Sequence, residues 1–116
     1  MENHFHILLF HEIPVNIRQS YMVQNEKILF SLTRIGINKF GEYQEWYFFT
    51  TKHLVYMRQD EGFAIQEMNA NDILEYHIYD NDIVLSYRDE TIRIELDENN
   101  NAHTLMKEVA RYWYLN

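Results

Sequence analysis

The sequence predicts a mainly β domain with one C-terminal α-helix, folded as a small, partly open barrel that the helix closes. Three observations carry this reading. About seven short apolar runs, most of them alternating with polar residues, lie between Lys27 and Leu96 and are separated by turn-forming clusters. A single apolar stripe at helical spacing follows them. Only three glycines and one proline occur in 116 residues, so no flexible linker, repeat or low-complexity tract divides the chain. A chain of this length buries roughly two-thirds of its unfolded surface, enough for one core without covalent staples.

Residues 1–25 are set apart as an N-terminal extension, with a short strand expected within Ile7-Leu8-Leu9-Phe10 and a helix from Pro14 to about Val23. From Lys27, Ile28, Phe30 and Leu32 share one face of a strand that is expected to end near Gly36. A loop with Asn38, Lys39 and Gly41 leads to Tyr43–Thr50, where Tyr47 and Phe49 oppose Trp46 and Phe48. Apolar residues on both faces predict a strand buried twice over. Thr51-Lys52 turns into Leu54–Met57, and Asp60-Glu61-Gly62 turns again before Phe63-Ala64-Ile65.

After a break at Asn69–Asp72, Leu74, Tyr76 and Ile78 are expected on a core face, with Glu75, His77 and Tyr79 in water. Asp80-Asn81-Asp82 reverses the chain. Ile83, Leu85 and Tyr87 then pass through Arg88-Asp89-Glu90 to Ile92, Ile94 and Leu96, a hairpin by its alternation. Past Asn99-Asn100-Asn101, which can cap a helix, the stripe of Ala102, Leu105, Met106, Val109, Ala110 and Trp113 predicts a helix over about 101–115.

Composition excludes several classes of function. With no cysteine there is neither a disulfide framework nor a thiolate zinc site, which fits a reducing, cytoplasmic setting. The longest apolar runs, such as Ile7–Phe10 and Trp46–Phe49, fall far short of the ~20 residues of a membrane helix. The opening Met-Glu-Asn-His lacks the pattern of a secretory signal, so export is not expected. Eighteen acidic against ten basic side chains give a formal charge of −8, which repels phosphate backbones and anionic lipid. Nucleic acid is therefore not an expected partner.

The segment Phe48-Phe49-Thr50-Thr51-Lys52-His53-Leu54-Val55-Tyr56-Met57 resembles a hairpin of the bacterial pleckstrin-homology-like (PH-like) domains. There a hydrophobic strand, a Thr-x-Lys-Arg-Leu turn and a second strand follow one another; His53 stands in place of the usual arginine. Glu26-Lys27-Ile28-Leu29 is similar to the first strand of that family. The resemblance spans Lys27 to about Leu115 and implies a PH-like domain over 26–116: a partly open barrel of seven antiparallel strands in two sheets, capped by one helix. It also implies a scaffold for protein or lipid contacts, in some members self-assembling, without enzymatic activity.

Arg34 and Lys39, with Ile35, Ile37 and Phe40, could present two cations beside an apolar tip in the loop between the first two strands. Two cations contribute on the order of 2 kcal/mol at an anionic surface, so weak or no membrane binding is expected. Asp97, Asn99, Asn101 and Glu108 match positions 1, 3, 5 and 12 of a calcium loop, but Ala102 replaces the turn glycine and a capped helix explains the same residues. His4, His6, His11 and Glu12 could gather zinc but lack a convincing further ligand, so no metal or other cofactor is expected. His53, His77 and His103 read as surface or turn residues.

No Gly-x-Ser-x-Gly elbow, phosphate-cradling glycine loop, His-Glu-x-x-His or Glu-x-Lys core occurs, and acidic pairs such as Asp80/Asp82 lie at turns. The chain reads as no enzyme. Aromatic residues make up 16% of it, more than a small barrel hides, so some must reach the surface. Phe30, Phe49 and Trp113 are assigned to the core. Tyr43, Trp46, Tyr79, Tyr112 and Tyr114 are assigned to a contact patch.

The expected function is a non-enzymatic binding or scaffold module that contacts a protein partner or a second copy of itself. Arg34, Ile37, Lys39, Phe40, Tyr43 and Trp46 are the expected contact residues. The alternative is a small acidic antagonist, of the toxin-immunity or phage-inhibitor kind, whose carboxylates mask a basic enzyme surface.

Overall fold

A computed structural model describes residues 4–23 and 25–113, with the side chains of 20–23 excepted. A short strand β1 (His6–Ile7) precedes helix α1 (Val15–Val23). Seven strands follow: β2 (Ile28–Asn38), β3 (Gly41–Thr50), β4 (His53–Gln59), β5 (Phe63–Asn69), β6 (Ile73–Tyr79), β7 (Asp82–Tyr87) and β8 (Glu90–Glu95). Helix α2 (Ala102–Trp113) completes the described chain. Strands β1 to β5 form one antiparallel sheet in sequence order, and β6 to β8 form a second. The mainly β fold with a C-terminal helix is as the sequence predicts. No helix among the described residues is long and apolar enough to cross a membrane.

The two sheets and α2 enclose one core. Leu32, Phe49, Leu54 and Met68 of the larger sheet meet Ile83, Leu85 and Ile94 of the smaller, and Met106, Val109 and Trp113 of α2 pack onto both. The stripe at helical spacing does what its pattern demands, since Ala102, Met106, Val109 and Trp113 are all buried. Asn101 caps α2 by accepting the Thr104 N–H at 3.0 Å. Asn81, in the β6–β7 turn, accepts from the Ala102 N–H at 3.0 Å and donates to the carbonyls of Asp97 (2.8 Å) and Asn100 (2.7 Å). One turn residue thus anchors the start of the helix.

The N-terminal segment takes part in both layers. Phe5 links the two sheets: its N–H donates to the Glu95 carbonyl (2.7 Å) and its carbonyl accepts from Asp97 (2.9 Å), while its ring lies in the core. Ile13 and Ile17 cover a second apolar cluster, made of Trp46, Phe48, Val55 and Met57 on the other face of the larger sheet. Strand β3 is therefore buried on both faces, as expected from its sequence.

Three details differ from the sequence expectations. Strand β2 does not end near Gly36 but runs to Asn38, because Gly36 pairs with Tyr43 and its missing side chain seats the Tyr43 ring. A Cβ on Gly36 would lie 2.2 Å from the Tyr43 Cζ. A register irregularity between Ile73 and Glu75 turns Leu74 outward, leaving Ile73 buried in its place. The early strand is His6–Ile7, paired with Thr33 and Leu32, while Phe10 falls in a 3-10 turn.

Candidate functional site

The β2–β3 hairpin and the neighbouring ends of β4 and β5 carry most of the expected contact residues and sort them by face. Gly41 closes the hairpin at φ +120°, a conformation that disfavours any side chain, and the Asn38 side chain accepts the Phe40 N–H at 2.8 Å. Lys39 and Phe40 thus form a tight two-residue tip, with the Lys39 ammonium 5.2 Å from the Phe40 ring centre. Phe40 is 72% exposed and Ile37 is 75% exposed.

On the face that continues the core, strand register aligns Arg34 with Glu45 and Glu45 with Arg58. The Glu45 carboxylate is buried between two donors, the Arg34 Nε at 2.8 Å and the Tyr56 hydroxyl. The Arg34 guanidinium also lies 4.5 Å from the Phe5 ring centre, and Arg58 lies 4.3 Å from that of Tyr43. Tyr47 packs against Phe5 and Tyr56, with ring centres at 5.2 and 5.0 Å. Burial, then the hydrogen bond to Glu45 and its negative charge, push the Tyr56 phenol up to about 12. Burial, with Tyr56 and Glu45 nearby, raises Tyr47 as well.

On the opposite face, pairing places Ile35, Gln44, Gln59 and Phe63 in one row, with Ile65 beside Met57 in the next. Ile35, Phe63 and Ile65 are each about half exposed, extending the buried Trp46–Met57 surface beyond the reach of α1. Glu42, Asp60 and Glu61 line a concavity with Asn38 and Phe40 beside the tip.

The expected set is therefore split. Ile37, Lys39 and Phe40 stand together at the tip. Arg34 lies within β2 rather than in a loop, held by Glu45, and Tyr43 is half-buried over Gly36. Trp46 is corrected: at 6% exposure it is a core residue under Ile13 and Ile17, because α1 covers the face that β3 alone would leave open. Tyr79 and Tyr112 reach the surface on other elements, and Tyr114 lies outside the described residues.

Among the described residues no group of three or more histidine, aspartate or glutamate side chains could hold a metal ion. His4 lies 3.7 Å from Glu95, and His6 and His11 are exposed. Asp97 accepts from the Asn99 N–H (3.2 Å) and from the Asn100 side chain (2.5 Å), and Asn101 caps α2, so the calcium-like spacing is spent on the helix start.

Sequence reasoning missed a second polar cluster. Glu26, 3% exposed, accepts from the Thr50 hydroxyl at 2.6 Å and lies 2.9 Å from the Nδ1 of His53, whose Nε2 is 3.3 Å from Glu67. Residues this far apart in sequence carry no spacing signal. No protein-family model, no curated protein and no solved structure matches the chain.

Proposed function

We propose that the chain is a non-enzymatic binding module that makes protein contacts, or assembles with itself, through the β2–β3 hairpin end. The observation that carries this reading is the outward display of Ile37 and Phe40, each more than two-thirds exposed, beside half-exposed Ile35. A tight hairpin holds these side chains in place before binding, so little ordering entropy opposes their burial. Each contributes roughly 1.5–3 kcal/mol when fully covered.

The strand order supports a PH-like arrangement, with β2 to β5 of the five-stranded sheet leading into the three strands of the next and a closing helix, and β1 added from the N-terminal segment. The buried carboxylate of Glu45 is already engaged by Arg34 and Tyr56, which fits a structural role rather than acid–base chemistry. Glu42, Asp60 and Glu61 surround the tip and disfavour nucleic acid and anionic membranes as partners. The absence of cysteine accords with a cytoplasmic setting.

The test is capture of partners from native lysate by the wild-type chain and by an Ile37→Glu/Phe40→Glu variant whose fold is verified by circular dichroism. Partners lost with the variant support the reading, and identical capture by both chains overturns it. The acidic concavity beside Phe40 favours a second reading, an antagonist of a basic enzyme. Its signature is association that slows steeply with added salt.

A further inference from the structure

The larger sheet is only partly covered on the face away from the main core. Strand register puts Ile35, Gln44, Gln59 and Phe63 in one row across β2 to β5, with Ile37 and Glu42 in the row toward the tip. Ile65 stands in the next row inward, beside Met57. Ile13 and Ile17 of the N-terminal segment cover Trp46 and Met57, which are buried. That cover stops short of the outer rows. Ile35, Phe63 and Ile65 stay about half exposed and Ile37 more so, an apolar surface held in place by four paired strands.

The same register fixes the charge of this surface. Both arginines of these strands, Arg34 and Arg58, fall in the alternate row with Glu45 and Ala64, on the opposite face. Glu42 and Glu67 lie on the open face, and Asp60 and Glu61 stand in the turn before Phe63. Arg58 reaches Asp60 at 3.3 Å, and Lys39 lies over the Phe40 ring. Among the described residues no cation pairs with Glu42 or Glu61. A hollow of about 240 Å³ opens between them, lined by Ile35, Glu42, Tyr43, Gln44, Gln59 and Asp60.

We infer that this face seats a cationic amphipathic helix of a partner protein, its apolar stripe on Ile35, Phe63 and Ile65 and a lysine or arginine in the hollow beside Glu42. Charge complementarity selects the partner. A chain of formal charge −8 with carboxylates around an apolar face attracts a cationic segment, whereas a second copy brings Glu42 and Glu61 against like charges. Geometry selects the helix. Ile35 and Phe63 stand three strand spacings apart, about 14 Å, the rise of about nine helical residues. An apolar stripe at intervals of three and four residues spans that distance. A strand added beside β5 would leave Ile35 uncovered, while the adjoining part of this face already packs under a helix through Ile17.

This names the partner chemistry of the hairpin-end surface and rests on the function proposed above. Fluorescence anisotropy of the full chain with a labelled amphipathic helical peptide of leucine and lysine tests it. A peptide with glutamate in place of lysine is the control. The chain is expected to bind the lysine peptide alone, with affinity that falls as salt is added. Glu42→Gln/Glu61→Gln is expected to weaken binding about tenfold. Asp89→Asn/Glu90→Gln removes the same charge from the β7–β8 turn and is expected to change it less than about twofold. Phe63→Ser/Ile65→Ser alters no charge and is expected to weaken binding about tenfold, with circular dichroism verifying the fold of each variant.

No binding of the lysine peptide, equal weakening by the two charge-removing pairs, or binding untouched by Phe63→Ser/Ile65→Ser overturns the inference. A chain that sediments as a dimer, and as a monomer once Phe63→Ser/Ile65→Ser is made, overturns it too, since a second copy then covers the face. Lysate partners lost with Ile37→Glu/Phe40→Glu but kept with both Glu42→Gln/Glu61→Gln and Phe63→Ser/Ile65→Ser would leave the contact reading standing and remove the cationic helix.

Discussion

The indole N–H of Trp113 donates to the backbone carbonyl of Thr50 at 2.7 Å, tying the last described turn of α2 to the end of β3. The Trp113 ring also stacks on Phe49 with centres 5.7 Å apart, and Phe49 stacks on Phe30 at 4.4 Å. Trp113→Phe keeps most of the apolar contact and removes the donor. The Thr50 carbonyl is then left buried without it, a loss of about 1–3 kcal/mol that urea denaturation should read as a lower midpoint at unchanged slope.

Gly36 and Tyr43 make a second pair whose coupling is measurable. Gly36→Ala places a Cβ where the Tyr43 ring lies, and overpacking of this kind costs roughly 1–3 kcal/mol. In a Tyr43→Ala background the same change should cost under about 0.5 kcal/mol, since nothing then occupies the space. Four chemical denaturation curves complete the cycle, and additive effects would contradict the packing described.

The tyrosines fix an alkaline limit. An unfolded phenol ionises near 10, whereas Tyr56 is held to about 12 and Tyr47 is raised as well, so the folded state binds these protons more tightly. Their contribution to stability is complete below about pH 10 and is lost as pH climbs toward 12. A near-ultraviolet absorbance titration should show phenolate forming in two stages. Tyr56→Phe should diminish the later one.

Alternation and turn chemistry made most of the fold legible, since the strands lie between the turn clusters that bound them and β7 and the stripe of α2 each bury one face in the pattern their residues prescribe. The site was less legible because it depends on what covers a face. The apolar residues on both faces of β3 already mark Trp46 for burial, but its cover, Ile13 and Ile17 of the N-terminal segment, cannot be read from the strand itself. Gly36 reads as a strand breaker until its partner Tyr43 is known. Leu74 follows the strand period, but the irregularity beside it reverses its direction. Ile37, Lys39 and Phe40 could be placed together because a turn of Asn and Gly around them is a local signal. The juxtaposition of Glu26 with His53 is nonlocal and left no trace in the sequence.

That juxtaposition yields the last prediction. Glu26 is almost wholly buried, and its carboxylate is satisfied by the Thr50 hydroxyl and the His53 ring. Thr50 in turn accepts the His53 N–H at 2.7 Å and the Lys52 N–H at 3.2 Å, so the β3–β4 turn is organised around this carboxylate. His53→Ala removes the ring and leaves the buried Glu26 carboxyl group one partner short, a loss of about 1.5–3 kcal/mol. Glu67 sits at the other ring nitrogen with its side chain 52% exposed, where water replaces a lost contact. Glu67→Ala should therefore shift stability by less than about 0.5 kcal/mol. Equal losses for the two variants in urea denaturation would show that the buried carboxylate does not depend on His53.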